Sequence, residues 1–243
     1  MTRAMECDGV VEDVAGVRDK AVLALDVDDL VAAMRLARLL RPYFATAKVG
    51  LELFSASGPE AIEALLAEEY RVFVDLKLYD IPTTVARAAK VVGSLGASYL
   101  TLHLQGGGPM VIAGVEGFAE GARSAGATAY FPLGVTVLTS QPKAPPEEIQ
   151  RLAAVAVEGG CWGVVCAATD VPSVRAVAPG LTIVVAGIRP PWAGSDDQAR
   201  PATLGAALDA GADLVVVGRA VTSASDPVAA ANAIFCSSSS EAI

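Results

Sequence analysis

The stretch Val72-Phe73-Val74-Asp75-Leu76-Lys77-Leu78-Tyr79-Asp80-Ile81-Pro82-Thr83-Thr84 joins an apolar strand to the start of a helix. Side chains alternate along a strand, so Phe73, Asp75 and Lys77 share one face. Because burying a charge is costly unless it is paired, an apolar strand that ends in Asp and then Lys predicts a functional site. The alternative is an exposed ion pair at the strand end. A second carboxylate at Asp80, followed by Ile-Pro-x-Thr, argues against that alternative.

Strand-to-helix units of this kind occur eight times along the chain. The predicted strands are Ala21–Asp26, Ala45–Gly50, Val72–Lys77, Ser98–His103, Ala129–Val137, Gly163–Cys166, Thr182–Ala186 and Asp213–Val217. The predicted helices are Asp28–Leu40, Pro59–Ala67, Pro82–Leu95, Gly108–Ala122, Pro146–Glu158, Val171–Ala178, Pro201–Asp209 and Pro227–Ile234. Eight units of about 30 residues imply a parallel sheet with right-handed crossovers.

The repeat predicts an α/β fold, a single-domain (β/α)8 TIM barrel over residues 1–243, with a doubly wound sheet as the alternative. We place its core at about residues 20–235. The segment Asp8–Asp13 is predicted to be a flexible lead-in, and the serine-rich tail Ser237–Ser240 to be disordered.

The chain is acidic, with a formal net charge of −9 and a pI of about 4.6. Nucleic acids and anionic membrane surfaces bind basic patches, so the composition argues against both as partners. No apolar run approaches the length of a membrane span without a charge or glycine, and the first eight residues lack the apolar core of a secretory signal. The cysteines, Cys7, Cys161, Cys166 and Cys236, show no C-x-x-C spacing. We therefore expect reduced thiols and a cytoplasmic protein without a metal cluster.

Polar residues follow the predicted strands where a barrel carries its chemistry, at the C-terminal ends. They are Asp26, Lys48, Asp75, Lys77, His103, Thr139, Ser140, Arg189, Gly218 and Arg219. Some have plainer explanations. Asp26 is alternatively a helix N-cap, Arg189 a solvated loop side chain, and Thr139-Ser140 a helix start. His103, the only histidine, is interpreted as a structural side chain.

The motif D-x-K-x-x-D-I-P-x-T resembles the signature of the orotidine 5'-monophosphate decarboxylase family, and the resemblance extends from about Val22 to Asn232. It implies catalytic roles for Lys48, Asp75, Lys77 and Asp80. It also implies substrate-binding roles for Asp26, Thr84, Thr139, Ser140, Arg189, Gln198, Gly218 and Arg219. Two features depart from the family pattern: Ala186 stands where many members carry proline, and Leu104-Gln105 where small residues are usual.

The same resemblance implies conversion of orotidine 5'-monophosphate to uridine 5'-monophosphate and CO2, the last step of uridine 5'-monophosphate synthesis. No cofactor or metal is implied, and Lys77 would protonate C6 of the pyrimidine. Asp80 and Thr84 would enter the neighbouring subunit's site, which implies a homodimer with shared active sites.

Two other functions stay open from the sequence. Sister enzymes that act on sugar phosphates share D-x-K-x-x-D but use magnesium and carry a carboxylate on strand 2, where this chain has Lys48. The second alternative function is a nucleotide-binding barrel without catalysis, and the presence of both Asp75 and Lys77 argues against it.

Overall fold

The computed structural model describes residues 17–188 and 202–239. Its strands are β1 (Ala21–Leu25), β2 (Thr46–Val49), β3 (Arg71–Leu78), β4 (Tyr99–His103), β5 (Phe131–Val135), β6 (Gly163–Cys166), β7 (Thr182–Val185) and β8 (Leu214–Val217). Each strand pairs in parallel with its neighbours in chain order, and β1 pairs with β8. The sheet therefore closes into the predicted single-domain (β/α)8 barrel, and the doubly wound alternative is wrong.

Helices follow the strands around the outside of the barrel. They are α1 (Leu30–Leu40), α2 (Leu51–Ser57), α3 (Glu60–Ala67), α4 (Pro82–Ser94), α5 (Gly107–Ser124), α6 (Pro146–Glu158), α7 (Val171–Val177), α8 (Leu204–Asp209), α9 (Arg219–Thr222) and α10 (Pro227–Ser239). Within the described ranges, no helix is both long and apolar enough to cross a bilayer.

Alternation along the strands divides the core into two layers. In β1, Val22 and Ala24 belong to a cluster inside the barrel, whereas Leu23 and Leu25 pack in the larger cluster between the sheet and the helices. Because both faces of each strand are buried, the strands are nearly continuous apolar runs, as parallel sheets require.

Aromatic rings fill the end of the barrel where the strands begin. Tyr99 opens β4 and Phe131 opens β5, and their ring centroids lie 4.9 Å apart. Trp162 lies 4.5 Å from Phe131, and Phe73 lies 5.6 Å from Tyr99. This packing closes one end of the barrel with apolar surface, so that a polar site can occupy only the opposite end.

The structure departs from the predicted elements at several places. Helices α2 and α9 were not predicted, because each is too short to show a clear helical period of apolar residues. Gly58, with φ of 57°, ends α2, and α9 has only four residues. The last helix, α10, continues to Ser239, whereas Ser240 and the predicted lead-in Asp8–Asp13 lie outside the described residues. Phe235 anchors this helix against Phe44, at 5.4 Å between centroids, and a nucleated helix extends cheaply. The predicted strand Ala129–Val137 is trimmed at both ends.

Helices α4 and α5 approach closely because α5 presents glycines to α4. A Cβ built on Gly121 would collide with the Lys90 carbonyl oxygen, and one on Gly117 with that of Ala86. Gly108, near the start of the same helix, has no atom within 4 Å of such a Cβ. The short distance between the two helices therefore requires glycine at these positions of α5.

We predict that Gly121→Ala lowers the free energy of unfolding by about 1–3 kcal/mol, because the methyl group must push backbone away. Gly108→Ala, the matched control in the same helix, should leave stability unchanged or raise it by up to about 1 kcal/mol. Urea unfolding followed by circular dichroism measures both. Equal effects of the two substitutions would contradict the close approach of the helices.

Candidate active site

A cavity of about 390 Å³ opens at the C-terminal ends of the strands. The sequence-predicted site residues that line it are Asp26, Lys48, Asp75, Lys77, Thr139, Ser140, Gly218 and Arg219. Between these polar groups lie apolar side chains from later strands, including Val135, Val165 and Val216. One part of the wall is charged and another apolar, so the cavity suits a molecule with an ionised end and a flat or apolar body.

Four charged side chains form a chain of contacts across the first three strands. Lys77 Nζ lies 3.0 Å from both carboxylate oxygens of Asp75. Lys48 Nζ lies 3.4 Å from Asp75 Oδ2 and 3.0 Å from Asp26 Oδ1. The Lys48 and Asp75 side chains are only 9% and 13% exposed, whereas Lys77 and Asp26 keep 31% and 44%. The inner pair is thus desolvated, and the outer two groups face the cavity.

The pKa values of the inner pair move in opposite directions. Burial by itself would lower the pKa of Lys48, but the carboxylates of Asp75 and Asp26 outweigh burial and hold it above its usual 10.5. Burial would likewise raise the pKa of Asp75, but the ammonium groups of Lys48 and Lys77 hold it below its usual 3.8. Both groups therefore stay charged at neutral pH.

These shifts set the pH range in which the pair stabilises the fold. The contribution of Asp75 is present above the unfolded carboxyl pKa and is lost as pH falls through the lowered folded value. The contribution of Lys48 is present below the unfolded ammonium pKa and is lost as pH rises through the raised folded value. The Lys48–Asp75 ion pair is therefore intact between pH 3.8 and pH 10.5, the ordinary pKa values of the two groups.

The backbone at Lys77 is strained. Between two consecutive β3–β4 pairs, β3 has three residues, 75–77, where β4 has only Thr101. The surplus residues form a bulge, and Lys77 has a φ of 49°. A non-glycine residue in this left-handed region costs about 1–3 kcal/mol and persists only where the surroundings enforce it. Bulges of this kind redirect side chains beside active sites.

Asp26 is not the helix cap that the sequence left open. Asp29 caps α1, and its carboxylate accepts hydrogen bonds from the backbone N–H groups of Val31 and Ala32 at 3.2 and 2.9 Å. Asp26 instead turns towards Lys48 at the cavity. Two carboxylates only three positions apart in the chain thus have different partners: Asp29 caps the helix, and Asp26 contacts Lys48 at the cavity.

The residues after β5 and β8 form other parts of the wall. Helix α6 begins at Pro146 with Pro145 at its N-cap, so Thr139 and Ser140 do not start a helix and are available to the cavity. Gly218 and Arg219 follow β8, and Arg219 is the first residue of α9.

Several predicted residues are not brought into this cavity. Asp80 and Thr84 are exposed and do not line it, and Asp80 Oδ1 accepts a hydrogen bond from the N–H of Ile81 at 2.6 Å. Arg189 and Gln198 lie outside the described residues.

His103 supports the structural interpretation made from the sequence. Its ring stacks on Tyr79 at 5.6 Å, and Nδ1 accepts a long hydrogen bond from Gln105 N–H. Burial and the nearby Lys77 ammonium lower the pKa of His103, so the ring is neutral at pH 7.

Sequence reasoning missed two residues of the site. Thr101, fully buried, contacts both Asp75 and Lys77. Its signal is a lone hydroxyl within the apolar run of β4, where a buried polar group needs a partner. Gly50 is the other: a Cβ there would lie 2.6 Å from Asp26 Oδ1 and 3.0 Å from Lys48 Nζ. Only glycine leaves room for that ion pair.

Comparison with known proteins agrees with the fold. A family model described as orotidine 5'-phosphate decarboxylase / HUMPS family matches residues 19–234. A solved structure of orotidine 5'-phosphate decarboxylase from Lactobacillus acidophilus superposes with a TM-score of 0.74 at 33% identity, covering 90% of this chain and 99% of that one. The corresponding structure from Pyrococcus horikoshii OT3 gives a TM-score of 0.73 at 29% identity, covering 90% and 99%.

Curated relatives are similar over nearly their whole length. The orotidine 5'-phosphate decarboxylase of Anaeromyxobacter sp. (strain K) is 45% identical over 219 residues, which covers 89% of this chain and 96% of the relative. That of Thermobifida fusca (strain YX) is 45% identical over 216 residues, covering 87% and 92%. With a family model that matches almost the entire barrel, these similarities show that the chain belongs to the orotidine 5'-phosphate decarboxylase / HUMPS family.

Proposed function

We propose that this chain decarboxylates orotidine 5'-monophosphate to uridine 5'-monophosphate and CO2, the last step of uridine 5'-monophosphate synthesis. The observation that carries the proposal is the Lys48–Asp75–Lys77 array, held by contacts of 3.0–3.4 Å at the mouth of the barrel. Relatives with 45% identity carry the name of this activity.

The difficulty of the reaction is the carbanion that CO2 leaves behind. The bond between C6 and its carboxylate breaks, the electron pair stays on C6, and no adjacent carbonyl delocalises it. A cation fixed beside C6 stabilises this charge as it develops, and it costs no reorganisation at that moment. In our proposal Lys77 is that cation, and it then transfers an ammonium proton to C6, which completes the product.

Asp75 has two effects in this scheme. It holds the Lys77 ammonium at 3.0 Å, and its low pKa keeps it charged next to the departing carboxylate. Repulsion between the two carboxylates would favour departure of CO2, in the sense of ground-state destabilisation. Lys48 balances the charge of Asp75 and, with Asp26, borders the region that we assign to the ribose. Asp80 completes the catalytic set from another subunit.

The identity of residue 48 favours this reaction over that of the magnesium-dependent sister enzymes. The Lys48 ammonium lies within 3.4 Å of both Asp26 and Asp75. Together with the Lys77 ammonium, it already balances the charges of the two carboxylates, so a magnesium ion would have to displace an ammonium group to bind them. In the described ranges, no three His, Cys, Asp or Glu side chains are grouped so as to hold a metal ion.

The remaining contacts follow from the shape of the substrate. Gly218 and Arg219 after β8, with Arg189 and Gln198 from residues outside the described ranges, are proposed to bind the phosphate; the end of β8 is the usual phosphate position in such barrels. Thr139 and Ser140 are proposed to contact the pyrimidine. Binding energy from the distant phosphate would then lower the chemical barrier at C6.

We predict that Lys77→Ala lowers kcat by at least about a thousandfold, roughly 4 kcal/mol, while affinity for uridine 5'-monophosphate changes little. The lost group acts on the transition state, and product affinity comes from the phosphate and ribose. Loss of substrate absorbance and calorimetric product binding measure the two effects. Lys90→Ala, which removes an exposed lysine paired with Glu120, is the control. Turnover of Lys77→Ala within tenfold of wild type would remove Lys77 from this role.

We predict that Arg219→Ala and Gln198→Ala each reduce kcat/KM for the nucleotide about a hundredfold, but hardly change the slow decarboxylation of the free nucleoside, which lacks the phosphate. Arg151→Ala, which removes an exposed arginine paired with Glu148, should affect neither substrate. Equal losses on both substrates would mean that Arg219 and Gln198 support the fold or contact the base instead.

We also propose a homodimer in which each site borrows residues from the other subunit. Asp80 and Thr84 face solvent in the single chain, beside two exposed apolar side chains, Tyr79 at 61% and Ile81 at 66%. Such neighbours favour burial against a partner. A two-fold axis would bring each Asp80 to the opposite cavity. A cytoplasmic location is proposed as well, because the cysteines show no C-x-x-C spacing or disulfide framework in the sequence.

Mixing two inactive variants tests the shared site. Lys77→Ala and Asp80→Asn, allowed to exchange subunits, should regain activity, because each mixed dimer has one site with both defects and one with neither. Random pairing makes about half of the dimers mixed, so about a quarter of all sites should be intact. Mass spectrometry confirms exchange. Exchange without recovered activity would mean that Asp80 serves its own chain's site or that the dimer is wrong.

A further inference from the structure

One hydroxyl group joins the backbone and the side chains of the proposed catalytic array. Thr101, on β4, is fully buried. Its Oγ1 accepts a hydrogen bond from the backbone N–H of Lys77 at 2.9 Å and donates one to Asp75 Oδ1 at 3.0 Å. A hydroxyl has one donor and two acceptor positions, so both contacts form at once.

The bulge explains why the backbone needs this side chain. Thr101 is the single β4 residue opposite the three-residue stretch 75–77 of β3, where the regular ladder is interrupted. The N–H of Lys77 is partly buried in this gap, and a buried donor without a partner is costly. Thr101 Oγ1 takes the place of a strand carbonyl and so satisfies Lys77 in its left-handed conformation, with φ of 49°.

The second contact fixes the carboxylate. Asp75 receives Lys77 Nζ on both oxygens and Lys48 Nζ on Oδ2. Both of these donors sit on long, flexible chains, whereas Thr101 donates from a stiff β-branched side chain on a neighbouring strand. The hydroxyl is therefore the least mobile of the donors that surround this carboxylate.

We propose that Thr101 is a positioning residue for decarboxylation, whose hydroxyl aims the Asp75 carboxylate and the Lys77 ammonium at C6. The inference rests on the proposed function. Thr101 itself is absent from the cavity wall, so it acts through its two neighbours and not on the substrate.

Substitutions that separate the hydroxyl from the methyl group test the proposal. Thr101→Val keeps the shape and removes the hydroxyl, Thr101→Ser keeps the hydroxyl, and Thr101→Ala removes both. We expect the Thr101→Val and Thr101→Ala variants to lower kcat about a hundredfold, with KM within a few-fold of wild type. The kcat of Thr101→Ser should stay within about fivefold of wild type. Thr136→Val is the matched control: Thr136 is also buried, but its hydroxyl donates to the carbonyl of Val165. It should cost stability and leave kcat near wild type.

A pH profile adds a readout that a merely structural role would not change. The Thr101 hydrogen bond helps to lower the pKa of Asp75. Its loss should raise that pKa, so the acid limb of kcat/KM in Thr101→Val should move to higher pH. Thr101→Ser should keep the wild-type limb.

The outcomes separate this inference from the proposed function. A wild-type protein that does not decarboxylate orotidine 5'-monophosphate would overturn the function. An active wild type with kcat near normal in Val or Ala would overturn only the role of Thr101. If the Thr101→Val and Thr101→Ala variants do not fold and so fail to bind uridine 5'-monophosphate, the Thr101→Ser variant provides the test. A Thr101→Ser protein that binds the product and loses at most fivefold in kcat supports the proposed role of the hydroxyl. A larger loss of kcat with intact product binding overturns it.

Discussion

The site depends on one carboxylate, Asp75, held between two ammonium groups. An isolated buried carboxylate would become neutral, and two buried lysines without it would repel each other. Together, Lys48 and Lys77 keep Asp75 ionised, and Asp75 with Asp26 keeps Lys48 protonated. Removal of any one charge would leave an uncompensated charge in a poorly solvated place.

The barrel makes such a cluster possible by dividing its two ends. Aromatic rings close the end where the strands begin, so the apolar core lies below the charges. Parallel strands all bring their carboxyl ends to the other side, which gathers Asp26, Lys48 and Asp75 from three consecutive strands. The strain at Lys77 is confined to a bulge next to Thr101. Stability thus comes from the barrel, and function is concentrated at its rim.

The sequence predicted the eight units and the cavity residues on the early strands, because short apolar runs and the polar residues that end them are local signals. It could not predict the two surplus residues of β3, since pairing register is a property of two strands together. For the same reason Thr101 was missed, although it lies only two positions before His103. The choice between Asp26 and Asp29 as helix cap depended on backbone angles at the start of α1. The role that we propose for Asp80 lies in the site of a second subunit, whose position is not a property of one chain.

The most direct test of the central claim is turnover by EDTA-treated protein in heavy water. Orotidine 5'-monophosphate is added, its ultraviolet absorbance is followed, and the product is examined by proton NMR. The Lys48–Asp75–Lys77 array predicts unreduced turnover without metal, and uridine 5'-monophosphate that carries deuterium at C6, delivered from the exchanged lysine ammonium. Activity that disappears with EDTA and returns with magnesium would contradict the claim. The claim would also be contradicted if the substrate stayed intact both with EDTA and after magnesium is restored.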